Sequence, residues 1–134
     1  MAIATSHRTT QSRTAPRSGA EVTAEMLNEA LAKAHANHKF LMIEFGADWC
    51  SDCLELSQRL KEPVVRDYLK EHFVIVNVDV GRFDLNVDIA KSLGVDVTQG
   101  IPAAVFYPPD SSVPSRKIGT NQILAYLDDV AERR

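Results

Sequence analysis

The sequence predicts an α/β domain in which a mixed central sheet of about four strands carries helices on both faces. Three observations lead there. The runs "KFLMIEF", "FVIVNVDV" and "PAAVFY" are strand-length and too continuously apolar to keep a solvent face. Helical periodicity lies between the first two, so those strands are parallel and joined by a right-handed crossover. The last strand pair is separated only by the turn cluster "PPDSSVPS", so it is antiparallel, and the sheet is mixed.

The elements follow in order. Thr23 can cap a helix through "AEMLNEALAKAHANH", where Leu27, Ala30, Leu31 and Ala34 recur at helical spacing. His35 and His38 fall near its end, where positive charge suits the helix dipole. A solvated helix end explains them better than a metal pair, because no further ligands cluster nearby. The strand "KFLMIEF" is interrupted by one acid, Glu44. After a short turn "SDCLELSQRLKE" is helical, with Cys53, Leu56 and Leu60 on one side. Pro63 breaks or kinks that helix, and "VVRDYLKEH" supplies a second helical piece before the strand Phe73–Val80. The stretch "DLNVDIAKSLG" is expected to be helical up to a stop at Gly94. The loop "VDVTQG" leads into the third strand, "RKIG" is a short fourth one, and "NQILAYLDDVAERR" closes the chain as an amphipathic helix.

Residues 1–20 are expected to form a disordered N-terminal arm and residues 21–134 a single domain. The arm holds Arg8, Arg13 and Arg17 and no acid, so the overall charge of −3 becomes −6 on the domain, with 12 basic against 18 acidic residues. No basic stripe for nucleic acid is visible, and no apolar run approaches a membrane span. Two cysteines are too few for the disulfide framework of a small secreted domain. Cytoplasmic residence is expected. The arm's Arg, Ser and Thr share the composition of transit peptides, so a targeted or exported form stays open. No exposed apolar stripe calls for a dimer, and a monomer is expected.

The only cysteines lie in "FGADWCSDC". Cys50 falls between the C-terminal end of a buried strand and the start of a helix. Unpaired backbone N–H groups and the positive end of the helix dipole favour a thiolate there. Cys53 lies about one turn further in, within disulfide reach and better shielded. An outer thiolate can attack a substrate disulfide and an inner thiol can resolve the mixed disulfide. The competing readings are two inert buried thiols, or half a metal site. The latter lacks a second pair of ligands, so neither metal nor organic cofactor is expected beyond the redox-active Cys50–Cys53 disulfide itself.

"MIEFGADWCSDC", with "GIPAAVFY" some fifty residues later, resembles the thioredoxin superfamily, and within it thioredoxin-like proteins of the WCxDC type. The resemblance spans about residues 22–134 and implies the thioredoxin fold. It implies that Pro102 is a cis-proline facing the cysteines and that Ile101 offers its backbone to an extended substrate segment. It also places Glu44 where the family has a buried aspartate. There a carboxylate with a raised pKa suits proton exchange with Cys53. Trp49 is expected to form an apolar rim beside Cys50.

The sequence departs from ordinary thioredoxin at three places. Gly46 replaces a tryptophan and is expected to open the surface, and Ser51-Asp52 replaces Gly-Pro between the cysteines. Asp52, together with Asp48 if it points toward the sulfur, opposes a thiolate at Cys50. Dithiol proteins of this fold span about −270 to −120 mV, and a less stable thiolate belongs in the reducing half. The expected function is a thiol–disulfide oxidoreductase reducing protein disulfides, fed by an upstream reductase or a small thiol. The alternatives are a disulfide oxidase or isomerase of an oxidising compartment, and a redox-inactive binding module.

Overall fold

The strand Phe40–Gly46 (β1) is buried along its whole length. In this computed structural model, which describes residues 20–133, it is the strand around which the sheet is assembled. The predicted arm lies outside the described residues apart from Ala20. In chain order the elements are α1 (Ala24–Ala36), β1, α2 (Ser51–Leu60), α3 (Pro63–His72), β2 (Phe73–Asp79), α4 (Val87–Ser92), a 3-10 turn (Val97–Gln99), β3 (Ala103–Tyr107), β4 (Ser115–Ile118) and α5 (Thr120–Glu132). The sheet order is β2-β1-β3-β4, with β1 parallel to β2 and the other two pairs antiparallel. This is the mixed four-stranded sheet that the sequence predicts.

Side chains of β1 alternate between two apolar layers. Leu41, Ile43 and Phe45 meet Leu27 and Ala34 of α1, Ala90 of α4 and Val105 of β3. Phe40 and Met42 meet Leu56, Leu69, Ile123 and Leu127 from α2, α3 and α5. Each fully buried aliphatic or aromatic side chain contributes about 1.5–3 kcal/mol, so β1 is clamped from both faces. Its C-terminal end is therefore a fixed platform. Thr23 caps α1 through the Met26 N–H at 3.2 Å, and Pro63 takes the first helical position of α3, where its missing donor costs nothing.

Two local expectations are corrected. The helix predicted over residues 84–94 contracts to Val87–Ser92, because Asn86 sits in the left-handed region at φ 57°. Its side chain there acts as a latch. The amide NH2 donates to the carbonyls of Asp79 (2.9 Å) and Ala20 (3.0 Å), and the amide oxygen accepts from the Val22 N–H (2.8 Å). His35 is not simply a solvated helix end. Its Nε2 lies 3.2 Å from the Pro108 carbonyl and 3.1 Å from that of Ser111, tying α1 to the β3–β4 turn. Gly94 does end the α4 segment, at φ 84°, where a side chain would also collide with Arg116.

Candidate active site at the end of β1

Three residues separate β1 from Cys50, and the Cys50 N–H returns to the Ala47 carbonyl at 3.2 Å, closing a tight turn. Cys50 is extended (φ −89°, ψ 114°) and is the N-cap of α2. Its Sγ takes the role usually filled by a Ser or Asp oxygen, accepting the Cys53 N–H at 3.1 Å. That geometry serves a thiolate even better than a thiol, since hydrogen bonds to a charged acceptor are stronger. The same thiol points toward the Ile101 carbonyl, 3.8 Å away. Both cysteines are free, and Cys50 is 7% exposed against 3% for Cys53.

Burial pushes the Cys53 thiol up to about 12, and its hydrogen bond with Cys50 adds to this, outweighing the Ala47 backbone contact. Negative charge on Cys50 and on Glu44 acts in the same direction. Cys53 is thus held as the protonated thiol of the pair. Glu44 is buried in β1, 3% exposed, with Asn77 and Ala104 as its neighbours across the sheet.

The Ile101–Pro102 bond is cis, and Pro102 is buried just before β3. A clamp at the start of α5 joins this proline to the cysteine helix. Gly119 donates its N–H to the Pro102 carbonyl at 2.7 Å, and the Thr120 hydroxyl donates to the Asp52 carbonyl at 3.1 Å. Ser51 and Asp52 form the exposed first turn of α2, and Asp48 is exposed in the preceding turn. Gly46 does not open the surface as expected. It is buried as the last residue of β1, because the chain beyond β2 continues the ladder there, with the Val80 N–H on the Gly46 carbonyl at 2.9 Å.

Trp49 stands beside Cys50, 48% exposed, with its Nε1–H on the Gly81 carbonyl at 2.7 Å. Phe83 meets it edge-on at 5.7 Å, and the Arg82 guanidinium lies 5.9 Å from its ring centre. Sequence reading did not find Arg82, Phe83 or Thr120. Nothing local marks them, since their importance arises from contacts with residues 33 to 68 positions away. Among the described residues no group of three His, Cys, Asp or Glu is suited to a metal ion, and no helix is long and apolar enough to cross a membrane.

A strand–helix dithiol facing a cis-proline peptide, on this sheet, defines a dithiol protein of the thioredoxin fold. A family model described as thioredoxin-like matches residues 22–109, and the chain belongs to that family. It is similar to the chloroplastic thioredoxin-like protein HCF164 of rice, 29% identical over 73% of this chain and 35% of the relative. A solved structure of a disulphide isomerase from Xylella fastidiosa Temecula1 is 29% identical, covering 78% of this chain and 88% of the other, with a TM-score of 0.67. Trichomonas vaginalis thioredoxin, 23% identical with a TM-score of 0.57 over 80% of this chain and 90% of that one, shares the fold. The chain spans about a third of the length of the curated relatives it matches. The family match and the two likenesses at 29% identity support thiol–disulfide oxidoreductase chemistry in general.

Proposed function

We propose that the protein reduces disulfides in other proteins by dithiol exchange. The observation that carries this reading is the asymmetry of the pair: Cys50 Sγ receives the Cys53 N–H at 3.1 Å, while Cys53 is held protonated, up to about 12. In the first step the Cys50 thiolate attacks one substrate sulfur, the substrate S–S bond breaks, and the leaving thiolate takes up a proton. In the second step Cys53 gives its proton to Glu44 and attacks Cys50 Sγ, releasing the second substrate thiolate. Two electrons pass to the substrate, and Cys50–Cys53 becomes the disulfide. Trp49 and the Ile101–Pro102 edge hold the substrate segment, and Ser51, Asp52 and Asp48 set the potential toward the reducing half of the range. The chemistry needs no metal or organic cofactor. Its electrons come from an upstream reductase or a small thiol, and the setting is the cytoplasm, with the protein as a monomer.

A Cys53→Ser variant tests this. It should accumulate mixed disulfides through Cys50 when incubated with cell extract, and reducing agent should release the captured proteins. Failure to form any adduct, with Cys50 still open to alkylation, overturns the reading.

A second reading, catalysis of disulfide isomerisation, is favoured by the likeness to the Xylella fastidiosa disulphide isomerase. The reduction potential separates the two. A value near that of thioredoxin, about −270 mV, supports the reductase, and one above about −180 mV supports the isomerase.

A further inference from the structure

The turn between β2 and α4 presents a feature that the exchange reaction does not require. Phe83 adopts φ 68°, a left-handed backbone that a bulky side chain rarely tolerates, and it remains 39% exposed. A residue held in that conformation for core packing would be buried; this one stays exposed with its ring edge-on to Trp49, the neighbour of Cys50 in sequence. The turn is firmly built. Gly81 and Arg82 give their N–H groups to the carboxylates of Asp79 (2.8 Å) and Asp84 (3.0 Å), and the Phe83 N–H goes to the Val80 carbonyl at 2.8 Å. The Trp49 indole is fixed to the same turn through Gly81.

A cation lies against the same indole. The Arg82 guanidinium sits over the Trp49 ring and forms no ion pair among the described residues, although Asp84 is two positions away. The domain around it carries −6, so an arginine with no ion pair among the described residues, set against the residue that precedes the nucleophile, stands out from its background. Because that guanidinium covers the face of Trp49, a substrate cation would meet like charge there, whereas a carboxylate would meet its complement.

We propose that Arg82 and Phe83 are specificity-determining residues, which with Trp49 form a ledge beside Cys50 that selects disulfides flanked by an acidic residue in an extended polypeptide segment. The aromatic edges take the apolar part of the segment and Arg82 takes the carboxylate. This rests on the reductase reading.

The probes are two synthetic peptides, each with one internal disulfide, identical except for Glu or Gln beside the cysteines. Reduced protein is mixed with each in a single turnover, in which two electrons leave Cys50–Cys53 and the peptide becomes a dithiol. Acid-quenched samples are resolved by mass. The Glu peptide should react about three- to fivefold faster at low salt, the range of an exposed ion pair, and the ratio should shrink as salt is raised. Arg82→Gln should bring the ratio to about one, and Arg82→Glu should invert it. Phe83→Gly relieves the backbone while removing the ring, so Tm should hold or rise while both peptides react at least about threefold more slowly. A Glu-to-Gln ratio that Arg82→Glu does not move, or a Phe83→Gly protein with unchanged rates or lowered Tm, overturns the ledge and leaves the reductase standing. Reduction of neither peptide by the unaltered protein overturns both.

Discussion

Replacing Glu44 by Gln separates two roles of one carboxylate, because they carry opposite signs. At neutral pH a thiol held at about 12 has a thiolate fraction roughly a thousandfold below that of a thiol at its ordinary 9.0. A more basic thiolate is the better nucleophile, with a Brønsted slope of about 0.4–0.5, which recovers roughly 15- to 30-fold over three units. The remaining deficit of roughly 30- to 60-fold is what a base beside Cys53 must supply during resolution. Glu44 is a buried carboxyl whose charge is felt by Cys53, and its influence on the thiol is the smallest of the five causes. If Glu44 acted only through its charge, Gln would lower the Cys53 pKa a little and speed resolution slightly. If it takes the proton, Gln should slow resolution by roughly ten- to 60-fold and leave the first attack by Cys50 nearly untouched. The assay mixes reduced protein with a disulfide substrate, quenches in acid at intervals, and measures mixed disulfide and product by mass. Transient accumulation of the mixed disulfide in Glu44→Gln is expected. Resolution as fast as in the unaltered protein, or faster, refutes the proton-transfer role.

Two further outcomes follow from the same site. Removing the charge in the first turn of α2 with Asp52→Asn should raise the reduction potential by about 5–20 mV, as expected for about 0.3–1 kcal/mol at a helix terminus. Equilibration with glutathione reads the potential, and a fall would remove Asp52 from the account. The raised Cys53 pKa also sets a pH dependence. Above 9.0 the unfolded chain releases the Cys53 proton while the folded protein keeps it up to about 12, so the reduced fold must lose stability as pH rises through that window. Urea unfolding at pH 8 and pH 10 should show a larger loss for the reduced protein than for its Cys53→Ser variant. Equal losses would contradict the assigned protonation.

Much of this was legible because it is local. The unbroken run of β1 announces a strand buried on both faces, and two cysteines in the first turn after it announce exchange chemistry. Asn86 illustrates the opposite case. Residues 84–94 carry good helical spacing, yet Asn86 turns left-handed to satisfy Asp79, Ala20 and Val22, partners up to 66 positions away. Periodicity reports a face to be buried, not a polar group recruited from elsewhere in the chain. Gly46 was misread for a similar reason: its neighbour in space is Val80, which no local pattern supplies. Arg82 and Phe83 look in sequence like ordinary loop residues. Only the positive φ of Phe83 and the Trp49 contact distinguish them.

The Asn86 latch bears on where this domain can be cut. A boundary drawn at residue 22, where the family match begins, removes the Ala20 carbonyl and turns the Val22 N–H into a free chain end. Two of the three ties that hold Asn86 would be lost or altered, and Asn86 is only three positions from Phe83. A shortened protein could keep every residue of the exchange site and still present its ledge out of place. Expression boundaries should therefore begin ahead of Ala20, and a purification tag belongs at the other terminus.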